Sequence, residues 1–509
     1  VAQVAEDAGM SLHWTGGSET LRWTLGERMY EVGLDQAFEF LGGEVDSLLP
    51  LPTKSGTPIG LELASDKPEG TVVFTNARVI TMDEAAGFPV LEGGTVVVEG
   101  NRIAAVGAAG EVSVPEGAVV VDLEGKTLMP GIIDAHAHIG NFRNGLSPQQ
   151  QWEYFANLAY GVTTAHDPST DSEMIFSHAE MVRSGAMVGP RLFSTGRILY
   201  GAEGDFKAVV NSLDDARSAV ERTQAMGGIS VKSYNQPRRD QRQQVLQAAR
   251  DLGVMVYPEG GSTFYHNISM VLDGHTGVEH NIPIYPAYDD VVSLWGASGV
   301  GYTPTLVVNY GSVSGEYYWY QKEDVWAKER LLSFTPRGLV DSRSRHRIMI
   351  PDEEYENGHI LSAATAKKLF DAGVNVNLGA HGQLQGLAAH WELWMFEQGG
   401  MTPMEALQVA TLNGARYIGV DRDLGSVEAG KLADLIVIDG NPLQNIRDTE
   451  NVVYTMVNGR LYDAATLHEV GTRKRERKPF WWEAEGYDAS FDWHAISRSA
   501  GQIQCDCHP

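Results

Sequence analysis

Five short apolar runs in this chain each close on a side chain that can bind a metal ion or carry a proton. They run from Met129 to His138, Ile229 to Lys232, Val254 to Glu259, Gly277 to His280 and Val376 to His381. Short apolar runs separated by helical stretches read as strands of a parallel α/β fold, and in a barrel the C-terminal strand ends converge on one rim. Residues at those ends then face one another.

The first run ends His136-Ala137-His138. In an extended segment residues i and i+2 point the same way, so the two imidazoles can share one cation. Histidine is the commonest protein ligand for zinc and related metals. A His-x-His pair alone is weak evidence. Joined by Lys232, Glu259, His280 and His381 it makes six candidate ligands on one rim, which suggests a two-metal site.

The 509 residues suffice for about three domains. A formal charge of −27 argues against nucleic acid or an anionic membrane surface as partner. No apolar run approaches the roughly 18 residues of a membrane span, and Val1 to Met10 lack the basic start and apolar core of a signal peptide. An initial valine fits a processed or excised chain, from which a removed signal peptide leaves no trace; a secreted or periplasmic setting is slightly favoured over a cytoplasmic one. Cys505 and Cys507 are the only cysteines, so no disulfide framework supports the fold.

Residues 1 to about 50 alternate like short strands, at Leu12-His13-Trp14, Thr20 to Leu25 and Arg28 to Val32, around Gly16-Gly17 and Gly26. One such unit cannot bury its own faces and needs neighbours, or packs on the rest of the chain as a remnant. A β-rich segment follows over 68–127, with a tight hairpin at Gly100-Asn101, and a second over 425–470, turning at Asn458-Gly459. Two sequence-distant β clusters flanking a βα region, 128–424, imply one small β-sandwich built from both flanks. The last helix of that region is marked by Thr402 as N-cap, Pro403 at the first position and Glu405 three residues after the cap. The stretch from Tyr302 to His359 is too long for an ordinary connection and is expected to be a lid or specificity element. Residues 471–509 read as a tail.

From about Gly70 to about Tyr462 the chain resembles the amidohydrolase superfamily, in particular its imidazolonepropionase-like members that carry a TolB-like propeller ahead of the hydrolase. Gly425 to Leu435 has a form that recurs across the superfamily, and residues 1–50 resemble a terminal propeller blade. The resemblance implies a (β/α)8 TIM-like barrel preceded by a β-propeller-like blade remnant. In the superfamily, strand one supplies His-x-His, strand four a lysine carboxylated to bridge two metals, strands five and six a histidine each, and strand eight an aspartate. His136, His138, Lys232 and His280 match. Strand five instead ends in Tyr257-Pro258-Glu259, and strand eight reads Gly379-Ala380-His381 where Gly-Thr-Asp is usual. A carboxylate and an imidazole have exchanged strands while the ligand inventory is unchanged. The resemblance therefore implies two divalent ions, for which zinc suits imidazole-rich donors best, with Glu259 or a carboxylated Lys232 between them. Proton transfer then falls to His381, Glu259 and Lys232.

His166, Tyr310, Arg343 and Arg345 are candidate substrate contacts. The arginines, with Arg347, can hold a substrate carboxylate or form a solvated basic patch; Tyr310, with Tyr317, Tyr318 and Trp319, can stack on a substrate or form lid core. Cys505, Cys507 and His508 have half the donors of a zinc site and read as tail. The expected activity is cleavage of a C–N bond, the amide of a small peptide-like or N-acylated compound, by metal-activated water. The alternatives are a cyclic amide or lactone hydrolase, a one-metal deaminase, or a non-catalytic propeller-associated binding protein. Expected partners are a small or short peptide-like substrate and a propeller segment or chain, with homo-oligomerisation left open.

Overall fold

A computed structural model describes residues 5, 7, 9–33, 56–140, 146–148, 150–202, 207–345 and 349–483. Arg347, Cys505, Cys507 and His508 lie outside the described residues. The chain forms two compact units, one of Val1–Ala64, Pro168–Ser177 and Phe193–Pro258, the other of Ser65–Asp167, His178–Leu192 and Glu259–Pro509.

The first unit opens with an antiparallel meander, Met10–Trp14, Thr20–Leu25, Arg28–Gly33 and Thr57–Pro58, paired in chain order. Alternation along Thr20–Leu25 buries Leu21, Trp23 and Leu25 on one face. The Gly26 turn abuts the end of the helix Leu213–Ala225: a Cβ on Gly26 would fall 1.9 Å from the Ala225 carbonyl, and Ser218 Oγ of that helix donates to Asp7 at 2.5 Å. Leu12 and Trp14 stay exposed. The meander has the strand count of one propeller blade, and no further blade accompanies it among the described residues. Four parallel strands complete the unit in the order Lys207–Val209, Ile198–Tyr200, Ser230–Ser233 and Met255–Pro258. Helices Leu213–Ala225 and Arg239–Leu252 pack on them through Val220, Val245, Val231 and Val256. The first helix starts at a capping box of Ser212 with Asp215, the second ends at left-handed Gly253.

In the second unit the two β-rich flanks meet in one eight-stranded sheet. Leu435–Ile438 pairs antiparallel with Thr127–Pro130, Leu435 opposite Pro130 and Ile438 opposite Thr127. Its core holds Val72, Phe74, Val96, Leu128, Leu435 and Leu461. The strand that leads to His136 is therefore the next one, Ile132–Asp134, parallel to Val162–Asp167. Gly277–Glu279 pairs in parallel with Gly301–Thr303, Tyr302 bridges to Val376, and Glu259 bridges to Glu279. Hydrogen bonds from Ala135 N to Leu378 O and from His381 N to His136 O join the first of these strands to the segment that carries His381.

Leu387–Gln398 is buried from Leu387 to Phe396, so it is a central helix, apolar all round apart from His390 and Glu392. The long stretch after Thr303 is mostly helical, with helices Gly315–Lys322, Glu329–Phe334 and Arg337–Ser344 anchored by buried Trp319, Leu331 and Val340. Pro403–Gln408 starts at the Thr402–Glu405 capping box. Phe480 is buried with Phe155 and Tyr462, so the described beginning of the tail is anchored. No helix of the described residues is long and apolar enough to cross a membrane.

Candidate metal centre

Three imidazoles meet in the second unit: one ligand atom from each of His136, His138 and His381 lies within 4.8 Å of the others. The His280 ring joins them, its centroid 4.8 Å from that of His136 and 5.2 Å from that of His381. His136 and His138 lie just past the end of their strand, which closes at Asp134, so strand alternation is not what aligns them. Hydrogen bonds do so instead. The Asp134 carboxylate accepts from His136 N at 3.2 Å and from Ala380 N at 3.0 Å, and Ala137 N donates to His166 O at 2.9 Å.

The turn after His381 requires glycine. Gly382 has φ +69°, and a Cβ there would lie 2.2 Å from the His138 carbonyl oxygen. His280 and His381 themselves sit at φ +68° and +57°, a region non-glycine residues seldom occupy. Such backbone persists where the surroundings over-determine it, often at functional sites.

Glu259 faces His280, its Oε1 3.0 Å from Nε2. The Tyr310 hydroxyl donates to the same oxygen at 3.0 Å, while its ring stacks on His280 at 4.0 Å between centroids. Tyr310 is held by its neighbour in space, since Asn281 Nδ2 donates to its carbonyl at 2.7 Å and Asn281 Oδ1 accepts from its N–H. Behind the imidazoles stand carboxylates. Glu279 contacts His136 Nδ1 and accepts from the Tyr417 hydroxyl, and Asp167 lies 3.5 Å from His138 Nδ1. With Nδ1–H donating to a carboxylate, Nε2 is left with its lone pair for a ligand, the usual arrangement behind metal-binding histidines. Tyr417 has room because Gly277 and Gly301, which pair in register, lack side chains: a Cβ on either would fall within 2.6 Å of its ring or hydroxyl. Burial pushes the Asp134 carboxyl up to about 7, opposed by the N–H groups of Ala380 and His136.

His166 is buried with Nδ1 3.2 Å from Ala135 O. Arg343 is half-buried and donates to Gln383 Oε1 at 2.6 Å, which ties the long insert to the turn after His381. Arg345 is exposed and pairs with Asp341 at 3.4 Å, a surface i, i+4 contact. Lys232 belongs to the first unit, buried on Ser230–Ser233.

Glu279, Tyr417, Asn281 and Thr305 escaped the sequence reading. Glu279 stands beside His280 in the same run, but alternation assigns it to the opposite face, where it reads as core. The other three carry no local signal. The donors that do converge, four imidazoles and one carboxylate, are nitrogen and oxygen ligands of the kind divalent zinc-like ions accept.

Residues 127–462 match the amidohydrolase family. The chain belongs to that family. It is 24% identical over 402 residues to an imidazolonepropionase of Geobacillus sp. (strain WCH70), covering 72% of this chain and 89% of the relative. It is 23% identical over 395 residues to an ochratoxinase of Aspergillus niger, covering 69% and 78%. A solved Xaa-Pro dipeptidase with methionine bound in its active site superimposes with a TM-score of 0.59 at 22% identity, over 77% of this chain and all of that one. This amidohydrolase thus has a TIM-barrel-like α/β fold and is an enzyme acting on carbon–nitrogen bonds, its family one that generally uses a divalent metal.

Proposed function

We propose that this amidohydrolase cleaves the amide bond of a small peptide-like or N-acylated compound, with two divalent ions, best fitted by zinc, held among His136, His138, Glu259, His280 and His381. Lys232 enters the ligand set from the sequence, as the close of its apolar run and through the family resemblance. The observation that carries the reading is the convergence of three imidazole ligand atoms within 4.8 Å, beside a carboxylate that already engages a fourth imidazole. When bound, such ions polarise a carbonyl and lower the pKa of a water to near neutrality.

The chain's own groups supply the rest. Glu279 and Asp167 orient His136 and His138, so their ligand atoms are fixed before substrate arrives. Glu259, in reach of both His280 and the Tyr310 hydroxyl, is placed to hold a proton at Oε1 and pass it to the departing amine. His381, with His136 and His138, is the second candidate for that transfer. Arg343, anchored by Gln383 two residues past His381, suits a substrate carboxylate. The name of the Xaa-Pro dipeptidase neighbour agrees with a peptide-like substrate.

Elemental analysis of purified protein, with hydrolysis assays on N-acyl amino acids, dipeptides and lactones, tests this. Two equivalents of transition metal and turnover of an acylated amine support it. Protein that carries none and cannot be reconstituted overturns the metal reading, and lactone turnover without amide turnover overturns the substrate class.

A further inference from the structure

Thr305 follows the strand Gly301–Thr303 and opens the short helical turn Leu306–Val308. Its backbone lies at φ +49°, ψ +58°. For a β-branched residue that left-handed conformation is a genuine outlier, because the branched Cβ crowds the flanking peptide groups. Thr305 is nevertheless fully buried, so no solvent relaxes it, and three contacts account for its being there.

Its hydroxyl lies 2.7 Å from His280 Nδ1. Its methyl group lies against Gly379, where an added Cβ would come within 3.0 Å of Thr305 Cγ2 and 2.8 Å of the His136 Cβ. The turn that follows is gripped from behind by Glu392, whose two carboxylate oxygens accept from Leu306 N at 2.8 Å and Val307 N at 3.0 Å. Glu392 sits on the central helix Leu387–Gln398 and is itself fully buried. Burial pushes the Glu392 carboxyl well above its ordinary pKa, opposed by the N–H groups of Leu306 and Val307, and a carboxyl in the middle of an otherwise apolar helix face is costly unless its hydrogen bonds are specific. Here both are directed at one peptide turn.

We infer that Glu392 and Thr305 form a positioning device for His280: the carboxylate clamps the turn, the clamp holds Thr305 left-handed, and its hydroxyl fixes the imidazole with Nε2 toward Glu259 and the other histidines. An accepting Oγ1 at Nδ1 selects the tautomer whose Nε2 lone pair is available to a ligand. The methyl group adds a steric register between His280 and the segment that leads to His381. Threonine is the residue that supplies both hydroxyl and methyl at this point.

The inference rests on the proposed metal reading, and cobalt titration of the full chain separates the two. Thr305→Val keeps the shape and removes the hydroxyl; Thr305→Ser keeps the hydroxyl. Thr305→Val is expected to weaken Co2+ binding by about 10- to 100-fold and to change the ligand-field absorption bands, whereas Thr305→Ser stays within about threefold of the parent. Glu392→Gln, which turns one acceptor into a donor facing an N–H, is expected to act like Thr305→Val. If Glu392→Gln fails to fold, the threonine pair decides. A parent protein that binds no cobalt overturns the metal reading and this inference with it. A parent that binds cobalt while Thr305→Val binds it equally, with the same spectrum, overturns this inference alone.

Discussion

The hydroxyl of Tyr310 and the carboxylate of Glu259 share a 3.0 Å hydrogen bond at the place where Glu259 also meets His280. A residue of the long insert thereby tunes the group that the family resemblance places at an exchanged position. Tyr310→Phe keeps the stacking on His280 and removes only this bond. A hydrogen bond to a charged acceptor contributes about 1.5–3 kcal/mol, so kcat is expected to fall roughly 10- to 100-fold with metal content unchanged. Steady-state kinetics with elemental analysis of the same preparation checks this, and an unaltered kcat would separate Tyr310 from the chemistry.

Metal removal should destabilise the second unit more than the first. Four buried or half-buried imidazoles, in which the rings of His138 and His280 each lie 4.5–5.2 Å from those of His136 and His381, are held together more firmly by a cation than without one. A ligand present at 100 times its Kd adds about 2.7 kcal/mol to stability. Chelation is therefore expected to lower Tm by several degrees, reversibly, and His136→Ala is expected to abolish the response to added zinc. A Tm indifferent to chelator and metal would count against the centre.

What the sequence disclosed and what it hid divide along a physical line. Runs ending in His138, Glu259, His280 and His381 stood out because strand ends concentrate polar groups, and the Thr402–Glu405 cap was legible because its signal is local. The manner in which the histidines converge was not. His280 and His381 sit in left-handed backbone and His136 lies past its strand, so neither periodicity nor propensity describes them. Glu279, Tyr417, Thr305 and Glu392 act through contacts between segments distant in the chain, and a single sequence holds no trace of such contacts. The same applies to the N-terminal strands, whose alternation was plain while the contact of their Gly26 turn with the helix end at Ala225 was not.

The buried N-terminal strands predict the outcome of a truncation. Leu21, Trp23 and Leu25 are buried, and Gly26 abuts the end of Leu213–Ala225. Burial of one large apolar side chain stabilises by about 1.5–3 kcal/mol, so deleting residues 1–64 is expected to cost several kcal/mol. Thermal denaturation and light scattering of the shortened chain are the test. Unchanged Tm and solubility would mark the meander as a dispensable remnant.

Two buried histidines set an acid limit. Burial lowers His390 to about 3 and His359 to about 4, against an ordinary value of 6.5. Below pH 6.5 the unfolded chain takes up protons that the folded chain refuses, so each histidine contributes stability at neutral pH that is lost as pH falls from about 6.5 toward those values. The buried carboxyls of Asp134 and Glu316, raised to about 7, act in the opposite direction, which makes the total slope uninformative. A single substitution isolates one term. His390→Gln is expected to flatten the pH dependence of urea-unfolding free energy by up to about 1.4 kcal/mol per pH unit between pH 6 and 4.5. Parallel curves for variant and parent would show that His390 already titrates in the folded state.

The exchange of carboxylate and imidazole between strands five and eight makes the sharpest prediction. Glu259 reaches His280 Nε2 at 3.0 Å, and the His280 ring lies 5.2 Å from that of His381, so the two exchanged residues flank one imidazole. Glu259→His places a fifth imidazole in the cluster and removes its carboxylate; His381→Asp does the reverse. Each single change alters the charge and donor set of a shared site, while the double variant keeps the inventory and restores the family's usual placement. Residues in such contact show interaction energies of about 0.5–3 kcal/mol, so the double variant is expected to retain more metal and more turnover than the sum of the single losses allows. The measurement is metal stoichiometry and kcat/KM on one validated substrate across the four proteins. Additive losses with full metal occupancy would mean that the two residues act independently and that their exchange is a coincidence of sequence.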